Sequence, residues 1–375
     1  MRTSSESSVP STLQRRLAEQ VQSAGGWMPF ERFMAEALYA PGLGYYARGD
    51  RQFGAMPGGG SDFVTAPEMS PWFGRALAVQ VAQALQATGT DEIWEFGAGT
   101  GALAGQLLAA LGDAVRRYTI VDLSGSLRAR QRQQLAAHGE RVCWVDALPD
   151  GLRGVVVGNE VLDAMPVTLL ARVGGAWHER GVGLEDGRLA WSDRPTALRP
   201  PWAIEGAHDY LTEVHPQAEG FVRSLVDRLE AGALLFIDYG FPAHEYYHPQ
   251  RSGGTLMCHR AHRADTEPLL DPGEKDITTH VNFTGVALAA QEAGDAATAC
   301  GAPPLQLLGY TSQARFLINC GLPALIASAP LPERAMAMRL VHEHEMGELF
   351  KVMLFARGEP WDALGFAVGD RSHRL

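Results

Sequence analysis

The sequence predicts an α/β fold built on a doubly wound, mostly parallel sheet, and two observations carry this prediction. Between residues 74 and 240, short apolar runs alternate with helical patterns, as in proteins whose strands are buried on both faces of a parallel sheet. One of these runs leads into a glycine-rich turn, EFGAGTG at residues 95–101, that opens a helix. A strand, a glycine turn and a helix in this order are typical of nucleotide-binding folds.

Helical patterns and loops precede this region. Apolar residues recur at helical spacing first near Leu13 and Leu17 and then between residues 30 and 38. The stretches 41–46 and 54–71 are rich in Gly and Pro but also carry aromatic residues, which predicts ordered loops. These loops either form a lid or a binding surface, or they cover the core of their own domain.

The remaining elements follow from periodicity and turn residues. Helices are predicted at 75–88, 102–111, 126–138, 217–230, 312–320 and 332–344. Strands are predicted at 93–96, 118–122, 142–145, 155–158, 233–238, 305–308 and 350–356. The last two strands follow a long loop, and we expect them to pair as an antiparallel edge.

Two segments interrupt this alternation. Residues 169–191 contain two glycine turns between short strand patterns and predict an inserted hairpin. Residues 246–294 are polar and too long for an ordinary connection, so we expect a substrate-binding or lid region. The predicted units are an N-terminal region, a main domain in two parts, the inserted region and a C-terminal tail, with bounds 1–73, 74–245 with 295–358, 246–294 and 359–375.

Composition limits the function classes. The formal net charge of −11 opposes binding to nucleic acid and favours a basic partner. No apolar run approaches the roughly 18 residues of a membrane-spanning helix, so we expect no membrane insertion. The four cysteines form no CxxC pair, and the polar, Ser-rich start of the chain favours a cytoplasmic protein over a mitochondrial one. Whether the chain forms a homodimer is left open.

The glycine turn is the first chemical signal. Glycines let the backbone approach a ligand closely, and a helix N-terminus offers free N–H groups. The spacing G-x-G-x-G at Gly97, Gly99 and Gly101 differs from the G-x-G-x-x-G of dinucleotide folds, which remain the competing interpretation. Glu95 places a carboxylate before the first glycine, where it would orient the ammonium group of S-adenosylmethionine.

Three further strand ends carry polar residues. Asp122 ends the second predicted strand and can accept both ribose hydroxyls in either competing fold. Asp146 ends the third, where a methyltransferase would recognise the adenine amino group. The fourth leads into Asn159, Glu160 and Asp163, which either face the methyl acceptor or cap a short helix.

These segments resemble the MidA-like family, whose mitochondrial members are complex I assembly protein arginine methyltransferases. The resemblance is carried by six segments: PGLGYY (41–46), SDFVTAPEMSPWFG (61–74), EFGAGTGALA (95–104), GNEVLDAMPV (158–167), FIDYGFP (236–242) and DITTHVNF (276–283). It implies a seven-stranded, Rossmann-like methyltransferase sheet with N-terminal and inserted elements over the active site. It also implies S-adenosyl-L-methionine as cofactor and, in the mitochondrial members, a protein arginine as acceptor.

Candidate site residues follow from both lines of reasoning. The predicted cofactor-binding residues are Glu68, Glu95, Gly97, Gly99, Gly101, Asp122, Leu123, Asp146, Ala147 and Asn159. An arginine guanidinium is charged and a poor nucleophile, so carboxylates must bind it and hold its positive charge away from the attacking nitrogen. The predicted catalytic residues are Glu160, Asp163, Glu213, Asp238 and His280. For Glu213 and Asp238, helix capping or pairing with an arginine is the alternative. His280 could accept a proton. The alternative is that its polar loop only forms hydrogen bonds within itself.

Other interpretations stay open at this level. Cys258, His259, His262 and His280 lack a clean metal-ligand spacing, so we expect no metal. His342 and His344 alternate with glutamates on a predicted helix, which indicates a solvated face. Besides a protein arginine methyltransferase, the sequence fits an assembly factor that keeps the cofactor pocket, a small-molecule methyltransferase or, last, a nicotinamide-dependent oxidoreductase.

Overall fold

A computed structural model describes residues 11–48, 64–122, 124–260 and 263–375 of the chain. The helices are α1 Thr12–Ser23, α2 Phe30–Tyr39, α3 Ala66–Met69, α4 Pro71–Thr88, α5 Ala102–Leu111, α6 Gly125–Gln134, α7 Pro216–Arg228, α8 Ala243–Tyr246, α9 Phe283–Ala299, α10 Gln313–Asn319, α11 Leu322–Leu325 and α12 Leu331–Arg339. The strands are β1 Met28–Pro29, β2 Glu92–Phe96, β3 Arg117–Val121, β4 Val142–Val145, β5 Leu152–Asn159, β6 Thr168–Val173, β7 Ala176–Glu185, β8 Arg188–Pro195, β9 Tyr210–Val214, β10 Leu229–Phe241, β11 Met257–Arg260, β12 Arg263–Asp265, β13 Asp276–Thr278, β14 Val281–Asn282, β15 Leu305–Ser312 and β16 Phe350–Arg357.

The central sheet is mixed but mostly parallel, as the sequence predicts. Seven of its strands follow the order β15-β16-β10-β5-β2-β3-β4, and the short β14 pairs with β10 as an eighth among the described residues. Strands β2 to β5 and β10 run parallel, whereas β16 is antiparallel to both neighbours. The predicted antiparallel pairing of the last two strands is confirmed.

Helices cover both faces of this sheet because its strands alternate their side chains between two apolar cores. In β2, Ile93 packs into the core beneath α4 and α5, while Trp94 and Phe96 face the opposite core with α7 and α9. In β5, Val156 likewise faces away from its two neighbours. Burial on both faces explains why these strands read as continuous apolar runs and not as alternating ones.

The predicted hairpin at 169–191 is part of a larger antiparallel sheet, which corrects the prediction. Both glycine turns are present, between β6 and β7 and between β7 and β8. However, β6 also pairs with β9, and β7 pairs with β1 from the N-terminal region. Helices α1 and α2 pack on this second sheet through a core that includes Leu17, Phe33, Leu169 and Val182.

Two other predicted elements differ from the structure. Helix α9 begins inside the predicted insertion at 246–294 and continues beyond it to Ala299, and Phe283, Val286 and Ala290 belong to the core under the central sheet. The apolar face of this helix therefore joins it to the main fold. The predicted helix at 332–344 ends at Arg339, so His342 and His344 lie beyond it, around a short kinked segment.

The inserted region between α8 and α9 forms a small sheet of its own, in the order β12-β11-β13. Cys258 and Ile277 from this sheet pack into the same core as α1 and α2, so the insertion rests on the N-terminal region. Across the described ranges, none of the helices has both the length and the apolar character that a membrane span requires.

Candidate active site

A cavity of about 1130 Å³ opens at the carboxyl ends of β2, β3, β4 and β5. Its walls also include the loop after α2, helix α3 and the small sheet of the insertion. Ligands of open parallel sheets bind at this end of the strands, where the loops converge. This is the region for which the sequence predicts the site.

The glycine turn forms the floor of the cavity in the conformation that its residues require. Gly97, Gly99 and Gly101 have φ values of 65°, 51° and 86°, and Gly101 caps the N-terminus of α5. A Cβ atom on Gly97 would lie 2.8 Å from Cγ2 of Val161. The turn therefore needs glycine both for its left-handed backbone and for its close contact with the loop after β5.

Glu95 lies at the end of β2 and lines the cavity although only 2% of its surface is exposed. Its Oε2 accepts a hydrogen bond of 2.8 Å from the hydroxyl of Tyr118. Burial raises the pKa of this carboxyl to about 8, partly offset by the hydrogen bond from Tyr118. Glu95 is therefore a buried acid whose charged form is stabilised by a cationic ligand.

Asp122 is held in place from two sides. Its Oδ1 accepts a hydrogen bond of 2.8 Å from the backbone N–H of Ser124, and its Oδ2 accepts one of 2.7 Å from Nε2 of Gln131. The same nitrogen of Gln131 donates to the carbonyl of Gly99 at 3.0 Å, and Oε1 of Gln131 accepts the indole N–H of Trp144. Sequence reasoning missed Gln131, because a glutamine in a polar helix gives no signal that it links the glycine turn to Asp122.

The remaining predicted cofactor residues lie around the same cavity. Asp146 and Ala147 line its exposed rim, and Asn159 lines its buried end. Glu68, in α3, accepts the hydroxyl of Thr100 at 3.0 Å, which joins the N-terminal region to the glycine turn. Leu123 lies outside the described residues.

Glu160 has the least usual backbone of the site. Its φ of 53° is left-handed although it is not a glycine, and its N–H donates to the carbonyl of Ile237 at 2.9 Å. Oε1 accepts Nδ2 of Asn159 at 3.0 Å. Burial, followed by the charge of Asp163, raises the pKa of this carboxyl to about 8. Strained residues of this kind are concentrated at functional sites.

Asp163 also lines the cavity and is 5% exposed. Its Oδ2 accepts the hydroxyl of Tyr239, whereas no donor among the described residues forms a hydrogen bond of good geometry with Oδ1. Burial raises the pKa of Asp163 to about 6, and the hydroxyl of Tyr239 acts in the opposite direction. Tyr239 was not predicted as a site residue, since only its position after Asp238 could have pointed to it.

Asp238 does not line the cavity, which corrects the predicted catalytic role. Its Oδ2 accepts the backbone N–H groups of Val161, Leu162 and Asp163, and its Oδ1 accepts its neighbour's N–H. The side chain is 1% exposed and caps the turn that carries Glu160 and Asp163. Asp238 is a positioning residue, in agreement with the capping alternative.

Glu213 likewise lies away from the cavity and is fully buried. Its Oε1 accepts the N–H groups of Thr255 and Leu256, and its Oε2 accepts the hydroxyls of Tyr246 and Thr255. The bonds from Thr255 and Leu256 join β9 to the segment that leads into the small sheet, and the bond from Tyr246 joins β9 to α8. The predicted catalytic role of Glu213 is therefore replaced by support of the cavity wall.

His280 lines the cavity between two aromatic rings. Its ring centroid lies 5.3 Å from that of Tyr239 and 5.2 Å from that of Phe241. Burial, followed by the positive charge of Arg251, lowers its pKa to about 4, so His280 is neutral at physiological pH. A neutral imidazole can accept a hydrogen bond, but its low pKa makes it a weak base.

Residues from the N-terminal loop and the insertion complete the wall. By resemblance to the MidA-like family, we expect the loop residues Tyr45, Tyr46, Phe63, Thr65, Pro67 and Glu68 to wall the pocket. Tyr46, Thr65, Pro67 and Glu68 line the cavity, Tyr45 is buried in the core under the second sheet, and Phe63 lies outside the described residues. Tyr39, which the sequence did not single out, also lines it. Within the described ranges, no group of three or more His, Cys, Asp and Glu side chains is placed to hold a metal ion.

Comparison with known proteins is consistent with this geometry. A solved structure from Burkholderia thailandensis, bound to S-adenosyl-homocysteine, is 48% identical, has a TM-score of 0.90 and covers 98% of this chain and 100% of its own. S-adenosyl-homocysteine is the product that remains of S-adenosyl-L-methionine once its methyl group has left.

Curated relatives are more distant in sequence. The mitochondrial protein arginine methyltransferase NDUFAF7 of Danio rerio is 27% identical, over 93% of this chain and 88% of the relative. Its Caenorhabditis elegans homolog is 28% identical, over 72% of this chain and 70% of the relative. A family model with the description "Putative S-adenosyl-L-methionine-dependent methyltransferase" matches residues 76–300. Because this match spans more than half of the chain, the chain belongs to this family of S-adenosyl-L-methionine-dependent methyltransferases.

Proposed function

We propose that this methyltransferase transfers its methyl group to an arginine side chain of a protein. The observation that carries the proposal is the charge of the cavity wall. Seven carboxylates line it, namely Glu68, Glu95, Asp122, Asp146, Glu160, Asp163 and Asp276, and none of the described lining residues is lysine or arginine. The ionised members of this set attract a cation, and the buried Glu95 and Glu160 ionise when one binds. Arginine is always positively charged at physiological pH.

The cofactor is S-adenosyl-L-methionine, and the residues at the first strand ends fit it. Gly97 lets the turn lie against Val161, where a Cβ would clash, and the buried Glu95 can offer a carboxylate to an ammonium group. Asp122 is fixed with its two oxygens beside the glycine turn, as an acceptor for ribose hydroxyls requires. We assign these residues, with Asp146 and Asn159, to cofactor binding.

The acceptor side would be formed by Glu160 and Asp163. When bound, S-adenosyl-L-methionine supplies an electrophilic methyl group on a sulfonium. The carboxylates hold the guanidinium and draw its positive charge away from the attacking nitrogen. That nitrogen must release a proton, and the carboxylate of Glu160 can accept it. Burial raises the pKa of Glu160 to about 8 in the free protein, and binding of a cation ionises it, so that the carboxylate formed in the complex can take up this proton.

The size of the cavity supports two occupants. Its volume of about 1130 Å³ exceeds the roughly 300–1,000 Å³ typical of a pocket for one small ligand. The relatives named above are protein arginine methyltransferases, which supports a protein as the second occupant. These relatives are mitochondrial and do not support the predicted cytoplasmic location, which remains a prediction, as does the homodimer.

Labelled methyl transfer tests this proposal. The purified protein is incubated with S-adenosyl-L-methionine carrying a tritiated methyl group and with lysate from cells that lack the protein, and the labelled protein is hydrolysed to amino acids. We expect label in methylated arginine. Label in another amino acid, or only in a small molecule, would overturn the choice of acceptor.

Two variants separate catalysis from background labelling. Glu160→Gln keeps the shape of the side chain but removes its charge, and we expect at least about a hundredfold slower transfer. Glu185→Gln makes the same change at an exposed residue of the second sheet and should label as fast as the wild-type protein. Equal labelling by both variants would remove Glu160 from the mechanism.

A further inference from the structure

Asp276 contributes a third carboxyl group to the acceptor side of the cavity, beside Glu160 and Asp163. It begins β13 in the insertion, is 4% exposed and lines the cavity. Its Oδ1 accepts a hydrogen bond of 2.7 Å from the hydroxyl of Tyr46, in the loop after α2. Two segments that are far apart in the sequence thus meet at one carboxylate.

This pair repeats the arrangement at Asp163. There, a tyrosine hydroxyl from Tyr239 binds one carboxylate oxygen, while the other oxygen is buried without a partner of good geometry among the described residues. In both pairs a tyrosine fixes the orientation of an acid on the cavity wall. Oδ1 of Asp163 therefore has unused capacity to accept a hydrogen bond of good geometry.

The two pairs are held next to each other. The backbone N–H of Thr279, three residues after Asp276, donates to the carbonyl of Asp163 at 3.0 Å. The pKa of Tyr46 is raised first by burial and then by the charge of Asp276, with a smaller contribution from Asp163. Their relative position is therefore set by the backbone.

A tyrosine ring completes this part of the wall. The rings of Tyr39 and Tyr46 are stacked, with centroids 5.6 Å apart and planes 20° from parallel. The hydroxyl of Tyr39 donates to the carbonyl of Ala164 at 2.8 Å, which orients the ring. Tyr39 is 42% exposed and lines the cavity, so it offers an aromatic surface to a flat cation.

We propose that Asp163 and Asp276, each oriented by its tyrosine, form a fork that binds the guanidinium of the acceptor and prefers it to an ammonium. A guanidinium is planar and presents five N–H donors, so it can bond to two carboxylates from different segments at once. An ammonium is a compact point charge and satisfies such a fork less well. The inference rests on the proposed function and deepens it, since it assigns the selection of arginine to the N-terminal loop and the insertion.

Binding of small cations tests the fork without any turnover. Ethylguanidinium and n-butylammonium serve as probes, and their affinities are measured by calorimetry on the whole protein saturated with S-adenosyl-homocysteine. We expect the wild-type protein to bind ethylguanidinium at least about five times more tightly than n-butylammonium. Asp276→Asn and Asp163→Asn should each weaken ethylguanidinium binding about tenfold, and Tyr46→Phe about threefold.

Controls distinguish loss of the fork from damage to the fold. S-adenosyl-homocysteine affinity should stay within about twofold of wild type in all three variants, and Asp113→Asn, an exposed residue, should change neither affinity. No preference for ethylguanidinium, or unchanged binding by Asp276→Asn, overturns the inference. If tritium still appears in methylarginine in that case, the proposed function stands and only the fork is wrong. If ethylguanidinium binds as expected while the label lies in another amino acid, the fork stands and the proposed function falls.

Discussion

Glu95 and Glu160 are glutamates that burial holds in the neutral form when no ligand is bound. Each has a pKa of about 8, and for both the largest cause is the removal of the carboxyl group from water. A cation in the cavity favours the charged form and lowers these pKa values. Ligand binding at neutral pH is therefore expected to release protons. In the free protein, burial of these two carboxyl groups disfavours their charged forms, and the charge of a bound cation offsets this effect.

Removing the ionisable group from Glu160 should stabilise the free protein. Because burial raises the pKa of Glu160 from its ordinary value of 4.5 to about 8 in the folded state, folding takes up a proton between these pH values, and wild-type stability falls as pH rises through this window. Glu160→Gln has no ionisable group at this position, so its stability does not fall for this reason. We expect it to be about 1–2 kcal/mol more stable than wild type at pH 8.5 and to have a smaller advantage at pH 5, by urea unfolding. A stability difference independent of pH would show that the carboxyl is not held neutral.

Gly97→Ala should weaken cofactor binding more than its backbone strain alone can explain. An added Cβ would meet Cγ2 of Val161 at 2.8 Å, next to Glu160. We expect at least about tenfold weaker binding of S-adenosyl-homocysteine by calorimetry. Gly112→Ala is the matched control, since Gly112 also has positive φ but its Cβ would meet nothing within 4 Å. It should lose about 1 kcal/mol of stability and keep its affinity. Similar affinities for both variants would contradict this account of the turn.

At the scale of elements, buried acids fix the loops that carry the site. Asp238, near the end of β10, caps the turn after β5, and Glu213 on β9 anchors the segment before β11. Thr255, which Glu213 binds, also accepts the backbone N–H of His280 at 3.0 Å. Glu213 thus reaches the cavity wall through Thr255.

Glu213→Ala should affect the acceptor more than the cofactor. The substitution leaves two backbone N–H groups and two hydroxyls without their acceptor, and we expect a loss of about 2–4 kcal/mol in unfolding free energy. We also expect the KM for the protein acceptor to rise at least about fivefold, while affinity for S-adenosyl-homocysteine changes less than twofold. Glu185→Ala is the exposed control. An equal loss of both affinities would mean that Glu213 supports the whole fold and not one wall.

The sequence predicts elements well where the signal is local. Strand β4 and helix α5 agree with the predicted bounds, because the periodicity of apolar residues and the flanking turns lie within each element. The second sheet was predicted only as a hairpin, since its outer strands β1 and β9 pair with residues distant in the chain. Local patterns carry no information about such partners.

The same limit applies to the site. Glu95, Asp122 and Glu160 were predicted to face one cavity because parallel strands present their ends at one edge, and all three line it. Glu213 and Asp238 have equally suitable side chains, and what separates them is the direction in which the carboxylate points. The roles of Gln131 and Tyr239 depend on partners in other elements. Residue type and spacing predict neither the direction in which a carboxylate points nor the hydrogen-bond partners that a side chain finds in other elements.

For the whole molecule, charge distribution should govern how the acceptor arrives. The chain carries a net charge of −11, and the cavity wall adds a local concentration of carboxylates. Electrostatic attraction draws a basic acceptor towards the protein. Salt screens this attraction beyond the Debye length, which is about 10 Å at 0.1 M ionic strength. A ligand of near-zero net charge gains little from this attraction.

Salt should therefore affect the basic acceptor and S-adenosyl-homocysteine differently. Raising the ionic strength from about 0.05 to 0.5 M should lower kcat/KM for a basic protein acceptor at least about fivefold. Affinity for S-adenosyl-homocysteine should change less than twofold over the same range. Initial rates of methyl transfer and calorimetry give the two values. An acceptor whose kcat/KM does not depend on salt would contradict recognition by the acidic wall.

A crystal structure with a bisubstrate analogue, adenosine joined through a short linker to an alkylguanidinium, tests the central claim most directly. The account predicts the adenosine over Gly97, Gly99 and Gly101 with its ribose on Asp122, and the guanidinium against Glu160, Asp163 and Asp276. Adenosine bound elsewhere, or a guanidinium that points into solvent while these three carboxylates contact no part of the ligand, would contradict it.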